Sequence, residues 1–327
     1  MAVNRLIRYS QFSATEIGNE IKVRYGMEEF ESCRFFDNGL NDIYQIIAGE
    51  QKYYFRISLA NIHERKDYEE EVQAILLFSK NGIGVAKPLP MTNGQYIWEL
   101  EAPEGRRYGV LFEEAKQSSS FDNIKKVRLI GEHLALIHQC SDWNQLMIGR
   151  KAIDFETLHV NPLRMVKQYL NHRSEDYRYL VEASEHLVTY IEKKVSKSSP
   201  TYGFCHGDLH SGNVHFDGVS PAIFDFDCMG FGYRAYDICI YAWNESYGNP
   251  DYLESDEWVA FIEGYESVRK LESEEKESLI PFMALRQIWL MGLHADVMDK
   301  NAGCSWYNDA YFDEQIGIFK RFYEKSY

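Results

Sequence analysis

Apolar and polar positions follow two different rhythms along the chain. Ser13 and Glu16 are spaced as a capping box, and Ile17, Ile21 and Val23 to Tyr25 supply a partial helical stripe, which predicts a first helix over 13–25. Short aromatic and β-branched runs follow at 32–36, 43–48 and 52–59. Turn formers separate them, Asn38-Gly39-Leu40-Asn41-Asp42 and then Gly49-Glu50, which predicts an antiparallel meander. Over 67–80, Tyr68, Val72, Ile75, Leu76 and Phe78 recur at three-to-four spacing until Asn81-Gly82, the pattern of a helix stopped by its glycine. Two more strands are predicted at 95–101 and 108–112. The segment 113–121, with Ser118-Ser119-Ser120, has no period and is the linker candidate.

Helical stripes dominate beyond it, at 124–138, 163–169, 177–193, 256–271 and 281–297, the last with Pro281 placed at its first turn. The β-like stretches of this half are 202–205, 214–216 and 222–226. The expected fold is α+β and two-lobed: a small antiparallel sheet with one main helix over 1–113, then a larger, mostly helical lobe over 114–327.

Composition agrees with a folded chain of this size. At 327 residues the sequence exceeds one usual core, and 45 % apolar with 26 % charged residues is ordinary for a globular protein. The 35 basic and 50 acidic residues leave a net charge of -15, which repels nucleic acid and anionic membrane surfaces and draws in a cationic small molecule. Six cysteines without a C-x-x-C pair read as free thiols of a reducing compartment. The N-terminal residues lack a signal-peptide core, and the longest apolar run, 238–243, falls far short of a membrane span. The expectation is a soluble cytoplasmic protein with neither nucleic acid nor membrane as partner.

Candidate chemistry concentrates in Phe204-Cys205-His206-Gly207-Asp208-Leu209-His210-Ser211-Gly212-Asn213, followed by Ala222-Ile223-Phe224-Asp225-Phe226-Asp227. An amide at Asn213 and a carboxylate at Asp225, converging from adjacent loops, suit a hard cation such as Mg²⁺ that also takes substrate phosphates. Asp208 is then free to orient a hydroxyl nucleophile or accept its proton.

The pair of motifs, H-G-D-L-H-x-x-N and I-F-D-F-D with 17 residues from Asp208 to Asp225, resembles the catalytic and metal-binding loops of the aminoglycoside phosphotransferase and choline kinase family, relatives of protein kinases. The resemblance implies a kinase that transfers the γ-phosphate of ATP, or of GTP, to a small-molecule hydroxyl. It gives Asp208 the catalytic role, and Asn213 and Asp225 the Mg²⁺. Asp227 would hold a second Mg²⁺ or face the cleft. In the family a basic residue on the third strand contacts the α- and β-phosphates and pairs with a helical glutamate. Arg56 and Glu71 occupy those positions, with arginine in place of lysine. The phosphate-covering loop 38–43 has one glycine, so Asn38 and Asn41 would assist the backbone there. Phe112, Glu113 and Ala115 correspond to the hinge that meets adenine. Asp237 corresponds to the aspartate that steadies the catalytic loop. The implied lobes are a nucleotide-binding one over 1–113 and one over 114–327 that carries the catalytic loop and acceptor site.

Trp243, Glu245 and Tyr247 stand where the family's acceptor pocket would be and, with the acidic balance, suit a cationic acceptor such as an aminoglycoside, choline, another amino alcohol or a homoserine-like molecule. The residues admit other readings. His206, Asp208 and His210 alternate, so on a strand they would share a face and form a zinc hydrolase site with His215. A nucleotide-binding pseudokinase is a further alternative, permitted by Arg56 and the glycine-poor loop. His138 and the stripe Phe282, Leu285, Trp289 and Leu293 read as packing residues.

Overall fold

The computed structural model describes residues 7–118, 122–298 and 304–326. Ser119, Ser120 and Phe121 of the expected linker lie outside them. The chain forms two compact units, Met1–Lys116 and Gln117–Tyr327, the division falling three residues beyond the sequence-based boundary.

The first unit is α+β. Helix α1 (Ala14–Tyr25) starts at Ser13, whose hydroxyl accepts the Glu16 amide, and stops at Gly26 in the left-handed conformation. Strands β1 (Phe30–Asn38), β2 (Asn41–Ala48) and β3 (Gln51–Ser58) form the meander, and helix α2 (Arg65–Lys80) follows. Strands β4 (Pro88–Leu89), β5 (Ile97–Ala102) and β6 (Gly105–Glu113) complete an antiparallel sheet in the order β1-β2-β3-β6-β4, with β5 paired to β6. Ile17, Ile21, Tyr44, Ile46, Phe55, Ile57 and Leu111 fill the core between α1 and the sheet. The turn expected over 38–42 is shorter than that: Asn41 and Asp42 already pair with Ser58 and Ile57 on β3. The reason is a buried ion pair. Asp42 accepts from the Arg107 guanidinium at 2.7 Å and from the Tyr9 hydroxyl at 2.6 Å, so its carboxylate belongs inside the sheet.

The second unit is mainly helical. Helices α3 (Asn123–Trp143), α4 (Asn161–Val166) and α5 (Ser174–Lys194) precede a small β-region, with a π-helical turn at Glu156–Val160. In that region β7 (Tyr202–Cys205) pairs antiparallel with β10 (Gly230–Tyr233), and β8 (Val214–Asp217) with β9 (Ser220–Ile223). Helices α6 (Arg234–Glu245), α7 (Asp256–Glu266), α8 (Ser273–Met298) and α9 (Asp309–Glu324) close the unit. Pro281 does not open α8 as expected but lies inside it, the helix beginning two turns earlier at Ser273. No helix among the described residues is long and apolar enough to cross a membrane. Cys33, Cys140, Cys205, Cys228 and Cys239 are free thiols.

Candidate active site

Two antiparallel ladders bring the motif residues together. Gly230 pairs with Cys205, so the loop that starts at His206 and the turn that ends at Met229 leave the same end of the β7–β10 ladder. Val214 pairs with Ile223, and the Phe224 amide donates to the Asn213 carbonyl at 3.0 Å. Asp225 is thereby set one residue beyond the rung that Asn213 occupies. It takes a left-handed conformation, φ 65° and ψ 64°, which a residue with a Cβ adopts at a cost of about 1 kcal/mol and mostly at functional sites.

The loop is clamped from below by Asp237 on α6. Its carboxylate accepts the His206 amide at 2.7 Å and the Gly207 amide at 2.8 Å. His138 of α3 donates to the same carboxylate through Nε2 at 2.9 Å, while its Nδ1 accepts from the Tyr265 hydroxyl at 2.8 Å. Burial pushes the His138 pKa down to about 4, which fits this neutral tautomer. Burial alone would raise the Asp237 carboxyl, but the hydrogen bonds from His138 and the Gly207 amide outweigh it and hold the group below its ordinary value. Position 207 needs glycine: φ is 84°, and a Cβ there would lie 2.1 Å from the Cys228 carbonyl oxygen.

Asn213 turns its amide nitrogen onto the Asp208 carbonyl at 2.9 Å, which leaves Oδ1 as the atom it can offer to a cation. With the carboxylates of Asp225, exposed, and Asp227, buried, the donor set is all oxygen, the chemistry that suits Mg²⁺.

The group that holds Asp208 itself has no counterpart in the sequence reading. Arg286 of α8 gives one guanidinium nitrogen to Asp208 Oδ1 and the other to the Tyr236 hydroxyl at 2.9 Å and the Gly207 carbonyl at 3.2 Å. It lies 3.8 Å from the Trp289 ring centre and 5.0 Å from that of Trp243. Burial would lower its pKa, but Tyr236 and Asp208 raise it above the usual guanidinium value, so the cation is fixed. A charge inside the largely apolar stretch 279–293 is the sequence signal for it, because a buried arginine demands an anionic partner.

This arrangement fills the expected cation-binding wall from within. Trp243 is buried against Arg286, its indole N–H donating to Gln287 at 2.9 Å. Tyr247 also donates to Gln287, at 2.9 Å. Glu245 is half-buried at the end of α6, beside Asn244, whose amide reaches Ser211 of the catalytic turn at 3.3 Å. The alternating His206, Asp208 and His210 are in a loop rather than on a strand, so the zinc reading loses its shared face. Both nitrogens of the buried His206 are also taken: Nδ1 accepts the Asp208 amide at 3.2 Å and Nε2 donates to the Phe224 carbonyl at 3.1 Å. Among the described residues, the metal-ligand types that cluster are His138, Cys205 and Asp237, which are buried.

In the first unit, Arg56 on β3 pairs with Glu71 on α2 at 2.6 Å, both side chains buried. The guanidinium lies 5.2 Å from the Phe112 ring centre. Asn38 is exposed at the end of β1. Glu113 ends β6 with its amide donated to the Lys87 carbonyl at 2.9 Å, and Ala115 lies half-buried just beyond.

Known proteins match both the sequence and this architecture. The model of the phosphotransferase enzyme family (APH) matches residues 32–271. Amicoumacin kinase of Bacillus subtilis is 25 % identical over 304 residues, spanning 89 % of this chain and 87 % of its own. Among solved structures, amicoumacin kinase hAmiN in complex with AMP-PNP, Ca²⁺ and Ami superposes with a TM-score of 0.74 at 18 % identity, covering 97 % of this chain and 94 % of its own. A microcompartment-associated aminopropanol kinase superposes with a TM-score of 0.72 at 18 % identity, covering 95 % and 96 %. At that identity the likeness is one of fold, the protein-kinase-like α+β fold.

Proposed function

The chain belongs to the phosphotransferase enzyme family, and on that premise we propose that it moves the γ-phosphoryl group of ATP to a hydroxyl of a small amino alcohol, with Asp208 as the residue that orients the hydroxyl. The observation that carries this reading is the loop 206–213 itself. Asp237 pins its start, Asn213 locks its end onto the Asp208 carbonyl, and Arg286 fixes one carboxylate oxygen of Asp208. Phosphoryl transfer asks little covalent chemistry of a protein and much positioning, which a carboxylate anchored by Arg286 on a backbone pinned on both sides supplies.

Asn213 and Asp225 would hold Mg²⁺, with Asp227 behind them. When bound, the ion supplies charge neutralisation for the β- and γ-phosphates. Arg56, steadied by Glu71, would meet the α- and β-phosphates with a planar fork that can bind an anion bidentately. Asp208 accepts the acceptor's hydroxyl proton as its oxygen attacks. Glu245 would receive the acceptor's ammonium: Asn244, which donates to it, also reaches Ser211 of the catalytic turn, and the net charge of -15 favours cations generally. The aminopropanol kinase, by its name, acts on an amino alcohol.

A phosphoryl-transfer screen over amino alcohols, aminoglycosides, homoserine, neutral sugars and protein substrates tests the reading, with Asp208→Asn as the blank. Turnover should appear with an amine-bearing alcohol and fall about 10²- to 10⁴-fold in the variant. An Asp208→Asn enzyme as active as wild type would remove Asp208 from its role, and nucleotide binding without turnover, whatever the acceptor, would favour the pseudokinase reading.

A further inference from the structure

We propose that His210 is a second residue in contact with the acceptor: its Nε2–H and Asp208 Oδ2 receive the acceptor hydroxyl between them. The inference rests on the role given to Asp208 above. The two carboxylate oxygens of Asp208 are not equivalent. Oδ1 is occupied by Arg286, while Oδ2 faces His210 Nε2 at 3.9 Å, beyond direct hydrogen bonding.

The proton on His210 can be placed from its neighbours. Nδ1 accepts the Gly212 amide at 3.0 Å, so it carries no hydrogen and the ring's single N–H is on Nε2, at the gap. The two side chains are 28 % and 21 % exposed, so the gap is open to a ligand. An oxygen placed about 2.8 Å from both atoms would see them at roughly 90°, an acceptable hydrogen-bonding angle.

A hydroxyl has one hydrogen and two lone pairs. With its hydrogen given to Oδ2 and one lone pair to Nε2–H, the second lone pair is the one left for the γ-phosphorus. In the transfer, the bond from phosphorus to the acceptor oxygen forms as the bond to the bridging oxygen of the departing ADP breaks. The hydroxyl proton passes to Asp208 Oδ2, and His210 keeps its own. Because the transition state is loose, aiming that lone pair matters more than making the oxygen basic.

Two substitutions separate this role from the capping of the turn. His210→Asn retains an oxygen that can accept the Gly212 amide but is too short to reach the gap, whereas His210→Gln can again present an N–H there. With the best acceptor of the panel, His210→Asn should lower acceptor kcat/KM about tenfold or more, with KM for ATP within about twofold and the melting temperature unchanged. His210→Gln should recover most of the loss. Acceptor kinetics in His210→Asn equal to wild type, while Asp208→Asn is inactive, would overturn the His210 assignment and leave the kinase reading standing. A wild-type enzyme that phosphorylates nothing in the panel would overturn both.

Discussion

Asp208 and Arg286 show how unequal the two halves of a buried ion pair can be. Arg286 is sealed among Trp243, Trp289 and Tyr236 at 3 % side-chain exposure, while Asp208 retains 21 %. Deleting the carboxylate leaves a cation in an aromatic box with no counter-charge. Deleting the cation leaves a carboxylate that water can reach. Asp208→Ala is therefore expected to cost about 3 kcal/mol of stability, and Arg286→Met, which refills the box with apolar volume, less than about 1 kcal/mol. Urea denaturation at neutral pH checks the asymmetry, and equal losses would contradict it. Asp208→Asn keeps an oxygen for the guanidinium, which is why it and not the alanine variant is the sound catalytic blank. At this scale Asp208, Asn213 and Asp225 were legible because their spacing is local. Arg286 was not, since its pairing spans 78 residues and no pattern near Asp208 announces it.

At the scale of elements, the catalytic loop is held by helices that the periodicity describes unevenly. The stripes of α3 and α5 are one-sided and their helices stand out. Ten of the twelve residues of α6 are buried, so it has no polar face to set a period, and the pattern predicts no helix there although Asp237, Trp243 and Glu245 stand out singly. The strand β10, Gly-Phe-Gly-Tyr, carries two glycines that mask it as a turn; a Cβ at either would crowd Ile153 at 2.9 Å. The helix α8 is apolar enough all round that Pro281 was the clearest start signal available, and it misled. Asp237 makes these elements one device, since its carboxylate ties α6 to α3 and to both loop amides. In Asp237→Asn the amide nitrogen must face a donor among the His206, Gly207 and His138 N–H groups. A loss of about 3 kcal/mol or more is expected, with turnover falling further than the lost stability explains. Hydrogen exchange at the His206 and Gly207 amides should rise with it; unchanged protection there would show that the loop is held by something else.

Over the whole molecule, charge and burial set the response to acid. Of the ten histidines only His63 lies in the first unit. His133, His138, His159, His206, His210 and His294 of the second unit are all shifted downward, in each case chiefly by burial. Each is held neutral in the folded chain. On unfolding it returns to an ordinary value near 6.5, whereas His138 in the folded chain is held at about 4. Above that ordinary value neither state binds the proton and stability is unaffected. As pH falls from about 6.5 towards 4, the unfolded chain takes up protons that the folded chain refuses, so stability declines throughout that window. Asp237 works in the same sense at the acid end, because its lowered carboxyl retains its charge after an unfolded one would be protonated. The urea midpoint of the second unit should therefore fall steadily from pH 7 to pH 4, with the first unit changing less. His138→Gln should be weaker than wild type at pH 7 and have a shallower pH slope, since it removes a group that titrates at about 4 in the folded chain and near 6.5 in the unfolded one. A midpoint flat between pH 6.5 and 4.5, or a slope that His138→Gln leaves unchanged, would mean that the network joining α3, α6 and the catalytic loop does not depend on a neutral imidazole at its centre.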